Sequence, residues 1–328
     1  MTQILQPKDL KKAVEIIKAG GLVAFPTETV YGLGADARNQ KALGKIFAVK
    51  KRAKNNPLNL NIADVGWINE FIEEIPTAVQ KVMDAFWPGP LTIILPLKRD
   101  TLSKLITGGS ASIGFRMPQN KTALALIRAV GIMVGPSANL SGKFSTTKVE
   151  HVLSDLDRKI DAILDDDENL GGIESTILDI SNLAQPKILR PGAITKEMLE
   201  VFLPNIQVLE SKKHYKPNVS VAIIDPQKQG WQEGIFWAKR NGQKIGLLAD
   251  KKIIEKFANQ VDETCVLTEN NDLNLAAKQL FSGLRKLDES KQPLDVIFVQ
   301  TFEGEGLALA YRNRLLKTAG LEERGFVK

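Results

Sequence analysis

GLVAFPTETVYGLGADA, residues 21–37, reads as a short buried strand that empties into a polar loop and then a glycine-rich segment. Leu22 to Phe25 are apolar and Pro26 ends the run, so Thr27, Glu28 and Thr29 emerge where the strand stops. In open α/β sheets that exit is where ligands bind. Upstream, Leu10, Val14 and Ile17 recur at helical spacing within 8–19, and Gly20 and Gly21 stop the helix. Downstream, a second helix is expected over 39–51, with Pro57 closing the basic loop behind it. Further strands are expected at 91–96, 111–115, 132–135 and 176–180, and further helices at 76–86, 119–130 and 147–158.

Within the opening stretch, YGLGADA at 31–37 sets Gly32 and Gly34 in a GxGxxA pattern, the outline of a dinucleotide-binding turn. Such a turn needs its glycines directly after the strand and an acidic residue about 20 positions on. Here Thr27 to Tyr31 intervene, and Arg52 to Asn56 occupy the acidic place. The glycines are expected instead to permit a tight turn with positive φ.

The chain has 328 residues, more than one hydrophobic core usually serves, so two domains are expected. Character changes near 205, where LESKKHYKPNVS (209–220) reads as linker. VSVAIID, KIGLLAD, CVLTE and DVIFVQ follow as four short β-branched runs, with helical stretches near 230–240, 271–289 and 305–319. That alternation implies a small parallel-sheet domain. The division is thus 1–205 for a first domain, 206–218 for a linker and 219–328 for a second domain.

Composition narrows the chemistry. Cys265 is the single cysteine, so no intramolecular disulfide forms, and a reducing compartment is expected. Only His151 and His214 could supply imidazole, too few for a zinc cluster, and no metal-ligating residues are assigned. The first 21 residues lack a secretory signal, and no apolar run reaches the length of roughly 18 residues that a membrane span needs, so a cytoplasmic protein is expected. A net charge of +6, from 44 basic and 38 acidic residues, is a mild excess that leaves nucleic acid or small anions open as partners. No GxSxG, HExxH or paired-cysteine motif occurs, which argues against a Ser/His/Asp hydrolase.

Three features suit anions. GPSANLSGK at 135–143 has the wrong spacing for a phosphate-binding Walker loop, yet Ser137, Asn139, Ser141 and Ser145 supply hydroxyl, amide and backbone donors, or else serve as ordinary turn and cap residues. Lys45, Lys50, Lys51, Arg52 and Lys54 crowd five cations into ten residues. A bound polyphosphate would relieve their repulsion, unless they form a solvated helix end. Arg116 and Arg190 each follow an apolar strand, where a guanidinium can grip a carboxylate or phosphate or form a structural salt bridge.

FPTETVYGLG at 25–34, KKRAKNNPL at 50–58, WPGPLT at 87–92, GFRMP at 114–118, PSANLSG at 136–142, ESTILD at 174–179 and LRPG at 189–192 resemble, in order, the sequence blocks of the YrdC-like threonylcarbamoyl-AMP synthases. GEGLALAYRNRL at 304–315 resembles the end of the extra domain in the long form of that family. The resemblance implies a YrdC-like twisted mixed α/β sheet with an open cavity, plus a smaller Rossmann-like C-terminal α/β domain. It implies synthesis of threonylcarbamoyl-AMP and pyrophosphate from L-threonine, bicarbonate and ATP, with Mg2+ arriving on the ATP. The product would pass to a separate threonylcarbamoyl-transfer complex that modifies adenosine 37 of tRNA; the resemblance leaves direct tRNA binding open and does not require it.

Carried over residue by residue, the resemblance gives Lys50 and Arg52 as catalytic cations. Arg52, Asn56, Ser112, Ser137, Ser145, Arg190 and Tyr215 would bind ATP, and Thr29, Asn61, Arg116 and Ser175 would bind threonine. Asn61 stands where many members carry histidine, and of the linker signature only His214, Tyr215 and Pro217 remain. Two rivals are weighed. A non-catalytic module that binds structured RNA would use the same basic surface, and the carbamoyl-transfer domain of hydrogenase maturation factors normally accompanies cysteine-rich zinc modules that a single cysteine cannot build.

Overall fold

A computed structural model describes residues 1–99, 101–167, 171–209, 215–224 and 230–321. It contains two compact units, Met1–Ser141 with Ser145–Leu209, and Gly142–Phe144 with Glu210–Lys328. Residues 210–214 of the expected linker, His214 among them, lie outside the described residues. No helix among the described residues is long and apolar enough to cross a membrane.

The strands of the first unit are β1 (Gln3–Leu5), β2 (Val23–Phe25), β3 (Gly32–Asp36), β4 (Leu60–Asn61), β5 (Leu91–Pro96), β6 (Ser112–Arg116), β7 (Met133–Val134), β8 (Ala162–Leu164), β9 (Thr176–Asp179), β10 (Lys187–Arg190) and β11 (Gln207–Val208). Among the described residues these eleven form one mixed sheet in the order β1-β8-β2-β3-β7-β4-β6-β5-β9-β10-β11. Its helices are α1 (Leu10–Lys18), α2 (Gln40–Lys50), α3 (Thr77–Phe86), α4 (Lys104–Thr107), α5 (Lys121–Val130), α6 (Val149–Leu156) and α7 (Lys196–Glu200). Of the stripe read from sequence in α1, Ile17 is buried and Leu10 and Val14 pack half-buried against the core, with Ala13 buried beside them; Val79, Val82 and Met83 of α3 and Leu124, Leu126 and Ile127 of α5 are buried too.

One expectation is corrected. Gly32 and Gly34 are not turn residues with positive φ; they lie inside β3, which pairs antiparallel with β2 through Phe25↔Gly32 and Val23↔Gly34. The glycines are there for close approach. A Cβ on Gly32 would sit 2.7 Å from the Phe25 ring, and one on Gly34 would sit 2.6 Å from the Met133 methyl. The turn is the polar loop between the two strands, so Thr27 to Thr29 stand at the tip of a hairpin. Asn39 caps α2 by accepting from the backbone N–H groups of Lys41 and Ala42, and Lys51 ends that helix in the left-handed conformation. This exit brings Lys50 and Arg52 to the sheet.

The second unit alternates β12 (Ser220–Ile224), α8 (Trp231–Arg240), β13 (Ile245–Asp250), α9 (Lys251–Phe257), β14 (Glu263–Thr268), α10 (Leu273–Asp288), β15 (Val296–Gln300) and α11 (Leu307–Ala319). The four described strands form a parallel sheet in the order β12-β15-β13-β14. All six residues of β13 are buried, as a central parallel strand covered on both faces requires. Helix α9, absent from the sequence expectation, begins where Asp250 accepts from Lys252 N–H.

Candidate active site

Sheet pairing assembles the first half of the site. Asn61 of β4 pairs with Arg116 of β6, and Arg116 pairs with Thr92 of β5. Cross-strand partners share a face of a sheet, so these three side chains form one row. The hairpin tip meets that row. Arg116 Nη2 donates to Thr29 Oγ1 at 2.8 Å and to Glu28 Oε1 at 2.8 Å, with Thr27 Oγ1 at 3.4 Å. Thr27 and Thr29 share a hydroxyl hydrogen bond of 2.9 Å, and Thr27 donates to Val30 O at 2.7 Å, which fixes the tip. The backbone N–H groups of Gly171 and Gly172 donate to Glu28 O and Thr29 O, both at 2.9 Å.

The row continues into a second group. Thr92 Oγ1 and Ser175 Oγ share a hydrogen bond of 2.8 Å, and both residues are buried. Arg190 grips Ser175 twice, Nε to the backbone O and Nη2 to Oγ, each at 3.0 Å. Gly192 permits this junction, since a Cβ there would strike the backbone of Thr176 and lie 2.8 Å from Glu174 O. Beside Ser175, Glu174 accepts from Ser145 Oγ at 2.7 Å. Arg52 is held by backbone carbonyls, Nε to Asn56 O at 3.2 Å and Nη2 to Pro57 O at 2.6 Å. Burial lowers its pKa to about 10, helped by the nearby positive charge of Arg190. Two half-sheltered guanidiniums that repel one another make a place for an anion.

The cation run divides its work. Lys45 Nζ donates to Gly20 O at 2.7 Å, at the end of α1. Lys50, expected to face phosphate, is 2% exposed, and its ammonium donates to the carbonyls of Ser137 and Asn139. Its own carbonyl accepts from Ser141 N–H at 2.8 Å. Lys50 is thus the bolt of the 135–142 loop. The same loop pairs with the hairpin through Leu33 N to Pro136 O at 2.6 Å and Ala138 N to Tyr31 O at 2.8 Å. Gly135 is needed there because a Cβ would strike the Asn61 carboxamide.

Burial, with Arg52 nearby, lowers the Lys50 pKa to about 7 against an opposing pull from Asp155. A neutral amine still has two N–H groups for two carbonyls. Between pH of about 7 and 10.5 the unfolded chain therefore keeps a proton on this lysine that the folded chain lacks, so unfolding becomes harder as pH rises through that window. Urea midpoints of the native protein are expected to rise from pH 7 to 10 relative to those of Lys50→Met. Parallel curves would mean that the ammonium stays charged.

Two expected residues are held by other neighbours. Ser112 opens β6 four residues before Arg116, where its hydroxyl meets Ser110 Oγ at 3.1 Å. Tyr215 belongs to the second unit, packed against Phe144 and Phe281 at ring-centroid distances of 5.7 and 5.4 Å. Conversely, Thr92 and Glu174 enter the cluster without having been singled out from sequence; each lies within a quoted block, and that position was the only signal. Glu28, expected only as part of the polar run at the strand exit, enters it as the ion-pair partner of Arg116.

Residues 15–192 match the family model described as "Telomere recombination", and residues 194–320 match that of the threonylcarbamoyl-AMP synthase C-terminal domain. The threonylcarbamoyl-AMP synthase of Bacillus subtilis is 37% identical over 95% of this chain and 93% of its own, and that of Pyrococcus abyssi is 35% identical over 95% and 94%. The crystal structure of P. abyssi Sua5 complexed with L-threonine superposes with a TM-score of 0.89 at 33% identity, covering 98% of both chains. The chain belongs to the threonylcarbamoyl-AMP synthase family, in the form that carries both the YrdC-like domain and the C-terminal domain.

Proposed function

We propose that the chain joins L-threonine, bicarbonate and ATP into threonylcarbamoyl-AMP and pyrophosphate, the first step of threonylcarbamoyladenosine formation at position 37 of tRNA. The observation that carries the division of the site is the pair of repelling guanidiniums, Arg52 and Arg190, set one buried hydroxyl pair away from Arg116. Arg116 takes the carboxylate of threonine, with Thr29, Asn61 and Ser175 around the rest of the amino acid. Arg52 and Arg190 take the triphosphate, with Asn56, Ser137 and Ser145 beside them. Lys50 acts through the loop it bolts, holding Ser137 in place.

The chemistry asks for charge control. A threonine carbamate oxygen attacks the α-phosphate, and negative charge grows on the phosphate oxygens as pyrophosphate leaves. Arg52 offsets that charge where water is scarce. Among the described residues no group of three or more His, Cys, Asp and Glu side chains is placed to hold a metal, while cations and hydroxyls suit phosphate oxygens. Mg2+ would therefore arrive with ATP, supplying further charge neutralisation. The product goes to a threonylcarbamoyl-transfer complex, in the cytoplasm.

Incubation with ATP, labelled bicarbonate and each amino acid in turn tests this reading. Labelled adenylate and pyrophosphate are expected with threonine. Salt-sensitive RNA binding in place of saturable ATP binding, with no adenylate, would favour an RNA-binding module instead.

A further inference from the structure

Glu28 is the side chain at the amino-acid end with no work assigned to it. Its carboxylate is held from two sides, Oε1 by Arg116 Nη2 at 2.8 Å and Oε2 by the Gln119 backbone N–H at 3.0 Å. The ion pair is sheltered, with Arg116 and Glu28 side chains 12% and 16% exposed. Every side-chain hydrogen bond Arg116 makes among the described residues runs through Nη2, and its Nε is buried without a partner. An orphaned buried guanidinium N–H is costly, and an arriving carboxylate removes that cost. The backbone at Glu28 is fixed as well, because a Cβ on Gly171 would already lie 2.6 Å from Glu28 O.

An α-amino acid carries a carboxylate and an ammonium on one carbon. Arg116 and Glu28, in contact at 2.8 Å, offer the two opposite charges side by side. The reaction also needs an acceptor, because the ammonium nitrogen has no lone pair until a proton leaves it. Resting on the function proposed above, we propose that Glu28 binds the α-ammonium of the amino acid and accepts its proton, freeing the amine to attack bicarbonate. The balance is RNH3+ + HCO3− giving RNHCOO− + H2O + H+. The nitrogen lone pair forms the N–C bond, and the C–OH bond breaks. The hydroxide leaves as water with a second proton from nitrogen, and the proton released is the one Glu28 took up and passes to solvent.

Glu28→Gln keeps an oxygen for Arg116 and loses the basicity. With saturating ATP and bicarbonate at pH 7.5, turnover is expected to fall about 10^2-fold to 10^3-fold. It should then climb about tenfold per pH unit, as the amino group, with a pKa of about 8 or higher, loses its proton unaided. The native enzyme should show no such climb. Calorimetric titration with L-threonine and with its deaminated analogue, 2,3-dihydroxybutanoate, adds a readout independent of turnover. The native preference for threonine should collapse in Glu28→Gln, with ATP affinity unchanged.

Should Glu28→Gln lose ATP binding through misfolding, Glu28→Asp carries the test, because it keeps the charge and should keep both the native pH profile and the preference for the ammonium. A Glu28→Gln enzyme with native turnover, profile and ligand preference overturns the proposal, as does a Glu28→Asp enzyme that recovers only at high pH. A native enzyme that makes no adenylate refutes the function, and the titrations still decide what Glu28 binds.

Discussion

Arg52→Ala is expected to abolish pyrophosphate release while leaving the chain folded. The guanidinium makes hydrogen bonds only to the Asn56 and Pro57 carbonyls of its own loop among the described residues, and it sits in the field of Arg190. Removing it costs those bonds but ends a like-charge repulsion, so the thermal midpoint should be unchanged or higher. Turnover is another matter. A preorganised cation aimed at charge that appears only in the transition state contributes a factor of about 10^2 to 10^3, comparable to an oxyanion-hole donor. With Arg190 the one proposed triphosphate guanidinium left, a loss of about 10^2-fold to 10^3-fold in kcat is expected in a coupled pyrophosphate assay. That pattern, a dead and undamaged protein, is the signature of a functional site that stores unfavourable charge. Native turnover in Arg52→Ala would remove this residue from the mechanism.

Arg116→Lys should be as damaging at the other end. Arg116 sits in mid-row between Asn61 and Thr92, and its one Nη2 already serves Glu28 and Thr29, so the remaining guanidinium N–H groups are what a carboxylate would meet. A lysine ammonium keeps the charge yet cannot serve internal acceptors and a carboxylate in one plane. Threonine affinity is expected to fall about 10^2-fold by calorimetry, equivalent to the loss of a charge-assisted bidentate contact. ATP affinity should hold, because Arg52 and Arg190, the proposed triphosphate contacts, are untouched. A parallel loss of both affinities would show that Arg116 supports the sheet and not the amino acid.

How much of this was legible in the chain depended on how long each signal ran. The hairpin tip was readable because Leu22 to Phe25 form an apolar run with a proline behind it, which forces the following polar residues out of the sheet. Arg116 and Arg190 were readable for the same reason, as charges that end apolar strands. The row that joins Asn61, Arg116 and Thr92 was not readable, because β4 has only two residues, too few to show any period. Strands β1 and β8, three residues each, escaped for the same reason. Gly32 and Gly34 misled because glycine signals either positive φ or close approach, and only the Phe25 and Met133 side chains, brought in by sheet pairing, tell which.

Direction was the other hidden quantity. Five cations in ten residues looked like one patch, yet Lys45 caps a neighbouring helix, Lys50 turns into a loop and Arg52 lies in the field of Arg190. Sequence supplies the charges; the exit angle of α2, set by Lys51 in the left-handed conformation, decides where each one goes. The Glu28–Arg116 pair joins residues 88 positions apart, a distance no local pattern can reveal.

The most direct test is a crystal structure of this chain with L-threonine and a non-hydrolysable ATP analogue bound together. The threonine carboxylate should lie on Arg116 and the triphosphate between Arg52 and Arg190, with Lys50 still turned into its loop. A triphosphate bound away from both arginines, or a carboxylate that does not touch Arg116, would contradict the division of the site.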